Sequence, residues 1–179
     1  YNMFNYNNVK YRYLVDSIDF INKRDNIELH NYGGNVFGEF NVIAIGGIRQ
    51  SGKTLAIQKN FDVNKDIYIA PRKLQVDEFL SEKRSLNNGD LLHSFTKEEL
   101  VILEKRKAFF SCQYSIERRE MKCRISNALV ENSVIYLDVY SVEIPDNYKY
   151  VDEVIKIMNS LKNSKKYKHL VPKIYLVYT

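Results

Sequence analysis

Cysteine, histidine and long apolar runs are scarce in this chain of 179 residues, and each shortage excludes a class of protein. The two cysteines, Cys112 and Cys123, are too few for a disulfide framework, and with three histidines they show no zinc-type spacing. A reduced, cytosolic setting is therefore expected. No apolar stretch approaches the ~18 residues that a membrane span needs. The N-terminus also lacks the basic start and apolar block of a secretory signal.

The composition that is present fits one soluble globular domain covering residues 1–179. Apolar residues make up 45% of the chain and charged residues 27%, which is ordinary for such a domain. The net charge of +5 is compatible with a polyanion such as nucleic acid, but many basic domains only have solvated surfaces. The chain starts without Met and stops inside an apparent strand, a pattern typical of a piece of a longer protein.

The strongest signal is a phosphate-binding motif placed between a strand and a helix. Residues 47–54 fit the pattern G-x-x-x-x-G-K-[ST] without a mismatch. A short β-branched apolar run precedes them, and a segment that can open a helix follows, so that backbone N–H groups converge on a polyphosphate. The alternative is a glycine turn that binds nothing. The predicted nucleotide-binding residues are Gly47, Ile48, Arg49, Gln50, Ser51, Gly52, Lys53, Thr54 and Leu55.

Within this site, the motif assigns Lys53 to the β- and γ-phosphates of ATP and the Thr54 hydroxyl to a Mg²⁺ ion. An acidic residue that could belong to the same site lies far along the chain, where residues 134–137 form an apolar run followed by Asp138. The carboxyl end of a parallel strand is where ligands bind in open α/β folds. We therefore predict that Asp138 holds the water shell of the same Mg²⁺ ion. No residue indicates a preference between adenine and guanine.

The remaining periodicities predict an α/β fold of three layers, with a mainly parallel central sheet flanked by helices. Residues 27–41 fit a turn or short hairpin, and residues 116–129 fit either a helix or a hairpin. Thr96 and Glu99 form the pattern of a capping box at a helix start. The predicted helices cover residues 11–21, 73–83, 97–110 and 145–161, and further strands cover residues 67–70 and 174–178.

This order of elements resembles the RecA-type motor ATPase core, a P-loop NTPase fold. Ile69, Ala70 and Pro71 are similar to the segment that follows the phosphate loop in terminases and helicases, and residues 49–54 resemble the loop of large terminases. These are the DNA-packaging motors of tailed bacteriophages. The resemblance implies Mg²⁺-dependent ATP hydrolysis, double-stranded DNA as a partner, assembly as a homo-oligomer and a place in the host cytoplasm.

Two further catalytic residues are predicted beside Lys53 and Asp138. In the terminase family a catalytic Glu follows the metal-side Asp at once, whereas here Val139 follows Asp138 and the nearest acid downstream is Glu143. Glu143 can orient the attacking water if the intervening residues fold back. In a continuing strand it would stand ~16 Å away. Arg49 can swing toward the γ-phosphate as an arginine finger, or it pairs with a surface acid.

Three function classes stay open after these observations. The first is a nucleic-acid motor ATPase, and the second is a small-molecule kinase in which Arg118, Arg119 and Arg124 form a phosphate-clamping lid. The third is a nucleotide-binding module that hydrolyses poorly and acts as a switch or assembly part. In the motor class another strand lies between the phosphate-loop strand and the Asp138 strand. In most kinases of this fold those two strands are neighbours.

Overall fold

The computed structural model describes residues 6–23, 42–46, 53–81, 95–111, 118–139, 147–161 and 172–178, and these form an α/β fold. None of the helices in these ranges is long and apolar enough to cross a membrane. The helices are α1 Tyr6–Asn22, α2 Lys53–Asn60, α3 Lys73–Ser81, α4 Lys97–Arg106, α5 Arg118–Ala128 and α6 Asn147–Leu161. The strands are β1 Val42–Gly46, β2 Ile67–Ala70, β3 Phe109–Ser111, β4 Val134–Val139 and β5 Lys173–Tyr178.

The described strands form one parallel sheet in the order β1-β5-β4-β2-β3, so that β5 lies between β1 and β4. The chain first moves across the sheet from β1 to β2 and β3, and α2, α3 and α4 pack on one face. It then returns through β4 to β5, and α5 and α6 pack on the other face. Crossovers between parallel strands have one hand, so a reversal of direction changes the face that the helices cover. The result is three layers.

A row of three tyrosines crosses the sheet on the face covered by α2. Tyr68, Tyr136 and Tyr175 are register partners on β2, β4 and β5, and each is at most 1% exposed. The rings of Tyr136 and Tyr175 stack at 5.0 Å, and their hydroxyls share the side-chain amide of Asn22 at the end of α1. The Tyr68 ring stacks instead on Phe79 of α3, at 3.8 Å. This tyrosine row forms the centre of the core on this face.

Polar side chains tie the amino ends of β2 and β4 together. The Asp66 carboxylate accepts hydrogen bonds from the backbone N–H groups of Asp62 (2.8 Å) and Val134 (3.1 Å). The Arg106 guanidinium at the end of α4 donates to three backbone carbonyls nearby, those of Val63, Asp66 and Ala128. Burial raises the pKa of Asp66 from 3.8 to about 7, although these N–H groups and the Arg106 charge lower it.

Because the Asp66 carboxyl group is buried, we expect the stability of the protein to depend on pH in an unusual way. Because its pKa is higher in the fold than in the unfolded chain, its stabilising contribution is complete below about pH 4 and is lost as pH rises through 7. We expect the free energy of unfolding, relative to Asp66→Asn, to fall by on the order of 2–3 kcal/mol between about pH 5 and pH 8. Urea unfolding of both proteins at the two pH values measures this, and a constant difference would contradict it.

The structure corrects one predicted helix boundary. The helix predicted over residues 97–110 starts as expected, with a capping box between Thr96 and Glu99, but it ends at Arg106. Lys107 adopts a left-handed conformation (φ 52°) and its N–H bonds back to the last turn, which ends the helix. The prediction of helix at residues 109–110 was therefore wrong, because Phe109–Ser111 is strand β3, paired with β2.

The ambiguous charged segment after β3 is a helix over Arg118–Ala128. Its apolar side chains, Met121 and Ile125, are four residues apart and buried against the sheet. This helical spacing explains why the segment forms a helix although its other faces are charged. The other predicted helices and strands within the described ranges are confirmed to within a few residues. The predicted turn or hairpin at residues 27–41 lies outside those ranges.

Candidate functional site

The first part of the candidate site is the amino end of α2. Lys53 is its first residue and is buried, with 9% of its surface exposed, while Thr54 is partly exposed. Leu55 packs into the core with 7% exposed. Residues 47–52 of the predicted phosphate loop, including Arg49, lie outside the described part of the chain, so their roles stay predictions.

Side chains of α2 fix the position of its amino end. Gln58 donates from its side-chain amide to the backbone carbonyl of Phe79 on α3, at 2.6 Å. Asn60 donates to the carbonyl of Val15 on α1, at 3.0 Å. Ala56 is fully buried between these neighbours. The polar contacts at the far end of α2 and the apolar contacts in its middle therefore hold Lys53 at the carboxyl edge of the sheet.

The second part of the site is Asp138, on the same face of the sheet as α2. Its Oδ2 atom accepts a hydrogen bond of 2.7 Å from the Tyr68 hydroxyl, and the side chain remains partly exposed. Burial raises the pKa of Asp138, the Tyr68 hydrogen bond and the positive charge of Lys53 lower it, and the negative charge of Glu78 raises it further. Lys53 thus acts electrostatically on Asp138, so the fold brings these two predicted site residues together.

The register of the sheet shows how this happens. Asp138 on β4 pairs with Val177 on β5, and Val177 pairs with Ile45 on β1. Asp138 is therefore level with Ile45, one residue before Gly46 ends β1. The carboxylate and the start of the predicted phosphate loop lie at the same edge, with one strand between them. This is the edge at which open α/β sheets bind ligands.

The described part of this site supplies few metal ligands of its own. Among the described residues, no group of three or more His, Cys, Asp or Glu side chains could hold a metal ion. Mg²⁺ at nucleotide sites is held by one or two protein ligands together with substrate phosphates and water. Asp138 and Thr54 suit that mode, in which the phosphates complete the shell.

In the described part of the structure, the other predicted site residues do not lie beside Lys53 and Asp138. Glu143 lies outside the described residues, because β4 is described only through Val139. Arg119 and Arg124 are exposed on α5, which packs on the face opposite α2. Arg124 forms a 2.8 Å ion pair with Glu120 one turn earlier, as a solvated charged face would. A phosphate-clamping lid built from this helix has no support in these contacts.

Two residues of the site were missed by the sequence reasoning. Tyr68 lies in a short apolar strand, where periodicity marks it only as core, and its contact with Asp138 follows from the pairing of β2 with β4. Glu78 is an exposed helix residue with no distinguishing pattern, and only its effect on Asp138 identifies it. Comparison of the chain with models of known protein families, with curated proteins and with solved structures found no match.

Proposed function

We propose that this chain is a P-loop domain that binds a nucleoside triphosphate with Mg²⁺ and hydrolyses ATP. The observation that carries the proposal is that Asp138, at the carboxyl end of β4, is level with the end of β1 and close enough to Lys53, buried at the amino end of α2, for the lysine charge to lower the pKa of its carboxyl group. A cation at a helix N-terminus suits phosphate, and a nearby carboxylate suits the metal that accompanies it. The exact match of residues 47–54 to the phosphate-loop pattern supports the same assignment.

Each described residue has a definite role in this proposal. The Lys53 ammonium binds the β- and γ-phosphates, and the N–H groups of the first turn of α2 add their dipoles. Asp138 and the Thr54 hydroxyl hold Mg²⁺ or its water shell. When bound, Mg²⁺ would neutralise the negative charge that develops on the transferred phosphoryl group. Leu55 anchors the first turn of α2 in the core, which keeps Lys53 and Thr54 at the edge.

Strand order favours a motor ATPase over a small-molecule kinase. β5 separates the phosphate-loop strand β1 from the Asp138 strand β4, which is the arrangement expected for the motor class. The arginines required for the kinase lid lie on the opposite face of the sheet from α2. We therefore propose a nucleic-acid motor, such as one that packages viral DNA, acting as a homo-oligomer in the host cytoplasm.

One observation favours the poorly hydrolysing module as a second candidate. Val139 occupies the position where motors of this kind carry a catalytic Glu, and it is still paired with β5 through Tyr178. A site that binds Mg²⁺ and a triphosphate but lacks a group to orient water would act as a switch or an assembly part. The two candidates share the binding site and differ in turnover.

Stimulation by DNA tests the motor proposal. We expect duplex DNA to raise the ATPase rate of the full-length, assembled protein, and the stimulation to disappear between roughly 50 and 200 mM salt, as phosphate contacts release counterions. Phosphate release is measured with and without DNA, with Lys53→Ala as the inactive control. A rate that DNA leaves unchanged would favour the switch module. A rate that rises only with a small-molecule phosphate acceptor would favour the kinase.

A further inference from the structure

One member of the tyrosine row differs from the other two in the direction of its hydroxyl. Tyr136 and Tyr175 direct theirs to the neutral amide of Asn22, at the end of α1. Tyr68 sits at the same level of the sheet, but its hydroxyl lies 2.7 Å from the Oδ2 atom of Asp138 at the carboxyl edge. The row therefore contains one hydroxyl that belongs to the candidate site and two that belong to the core.

Packing leaves the Tyr68 ring little freedom to move. The ring is 1% exposed and lies parallel to the ring of Phe79, with an interplanar angle of 4°. Phe79 is itself held in place, because its carbonyl accepts the hydrogen bond from Gln58 on α2. The Tyr68 hydroxyl is consequently a fixed donor, tied through α3 to the helix that carries Lys53.

A fixed donor of this kind constrains a carboxylate. A hydrogen bond from a hydroxyl to an ionised carboxylate is among the stronger ones in proteins, and it holds the carboxyl group in one orientation. An ionised carboxylate has about four acceptor positions, so one phenol does not prevent it from binding a metal or its water.

We infer that Tyr68 is a positioning residue for Asp138, because the Tyr68 hydroxyl holds the carboxylate in the orientation that suits the Mg²⁺ ion of a bound triphosphate. This inference rests on the proposed function, since it concerns the same site. Hydrogen-bond partners of this kind contact the metal-binding side chain and not the metal. They set the orientation and basicity of that side chain. Tyr68 touches no phosphate in this assignment and acts only through Asp138.

The row itself provides matched variants for the test. Tyr68→Phe removes the hydroxyl at the site and keeps the stacking on Phe79, whereas Tyr136→Phe and Tyr175→Phe remove the hydroxyls of equally buried tyrosines that contact Asn22 instead. We expect Tyr68→Phe to require roughly 10-fold more Mg²⁺ for half-maximal ATP binding, because loss of such a partner commonly weakens metal affinity by that factor.

A second measurement reports on Asp138 without any nucleotide. Carbon-13 NMR of the ligand-free protein at one fixed pH should show a changed chemical shift of the Asp138 carboxyl carbon in Tyr68→Phe, because the hydroxyl no longer donates to it, and the wild-type shift in Tyr136→Phe and Tyr175→Phe. A merely structural role would lower the unfolding temperature of all three variants and leave the Asp138 carboxyl chemical shift and the Mg²⁺ requirement unchanged. That result, or equal effects of the three variants on Mg²⁺, would overturn the assignment of Tyr68.

The Lys53→Ala variant separates this failure from failure of the proposed function. If Lys53→Ala weakens ATP binding and Tyr68→Phe has the wild-type Mg²⁺ requirement, the site stands and the role of Tyr68 is wrong. If the wild type does not bind ATP with Mg²⁺, both proposals are wrong. A selective shift in the Mg²⁺ requirement of Tyr68→Phe, with Lys53→Ala impaired, supports both.

Discussion

Replacement of Lys53 by Ala is expected to weaken ATP binding by about 1.5–3 kcal/mol, which is roughly 10- to 150-fold in affinity. In the proposed site, the substitution removes the charged hydrogen-bond donor for the β- and γ-phosphates. Since Lys53 is buried, the loss should appear in the enthalpy of binding as well as in affinity. Titration calorimetry of ATP with Mg²⁺, at one fixed pH and salt concentration, measures both.

The same helix provides a matched control for this variant. Lys59 lies in the last turn of α2 and is exposed, so Lys59→Ala removes the same charge from the protein without touching the amino end. Its ATP affinity should equal that of the wild type. Thermal unfolding of both variants checks the fold, because the positive charge of Lys53 also acts on the carboxylate of Asp138. Equal affinity in the wild type and Lys53→Ala would remove the basis of the nucleotide-site assignment.

Much of the fold could be predicted because its central strands are apolar and its helices have one apolar face. Ile67–Ala70 is buried throughout, so its short β-branched run is typical of a strand covered on both sides. Strand β3 could not be predicted, because Phe110 continues the helical spacing of Leu100 and Leu103. The turn that ends α4 falls on Lys107, and a lysine gives no local signal of a left-handed conformation.

The core of the candidate site was also predictable, for a topological reason. In a parallel sheet the carboxyl ends of all strands lie at the same edge, so the helix start that follows β1, with Lys53, and the carboxyl end of β4, with Asp138, were expected at one edge, whatever strands lie between them. The hydrogen bond from Tyr68 to Asp138 was not predictable, because it depends on the pairing of β2 with β4 and on the orientation of the Tyr68 side chain. Local periodicity contains neither fact.

Substitution of either proposed catalytic carboxylate, Asp138 or Glu143, should slow the chemical step under single-turnover conditions. Asp138→Asn is expected to slow ATP hydrolysis by on the order of 100-fold, since it removes the charge that we propose holds the metal. Glu143→Gln should slow it comparably, with little effect on ATP affinity, if the chain folds back after Val139 and brings Glu143 to the attacking water. Rapid mixing with ATP at enzyme excess, followed by quenching, measures the chemical step for both.

Glu78→Gln belongs in the same experiment. The negative charge of Glu78 already acts on Asp138, and Glu78 is exposed on α3, next to the Phe79 ring that holds Tyr68. A wild-type rate in Glu143→Gln together with a slow rate in Glu78→Gln would transfer the water-orienting role to Glu78. Wild-type rates in both variants, with Asp138→Asn impaired, would mean that a neighbouring subunit supplies the base. No hydrolysis in the assembled wild type, with ATP still bound, would identify the chain as the switch module.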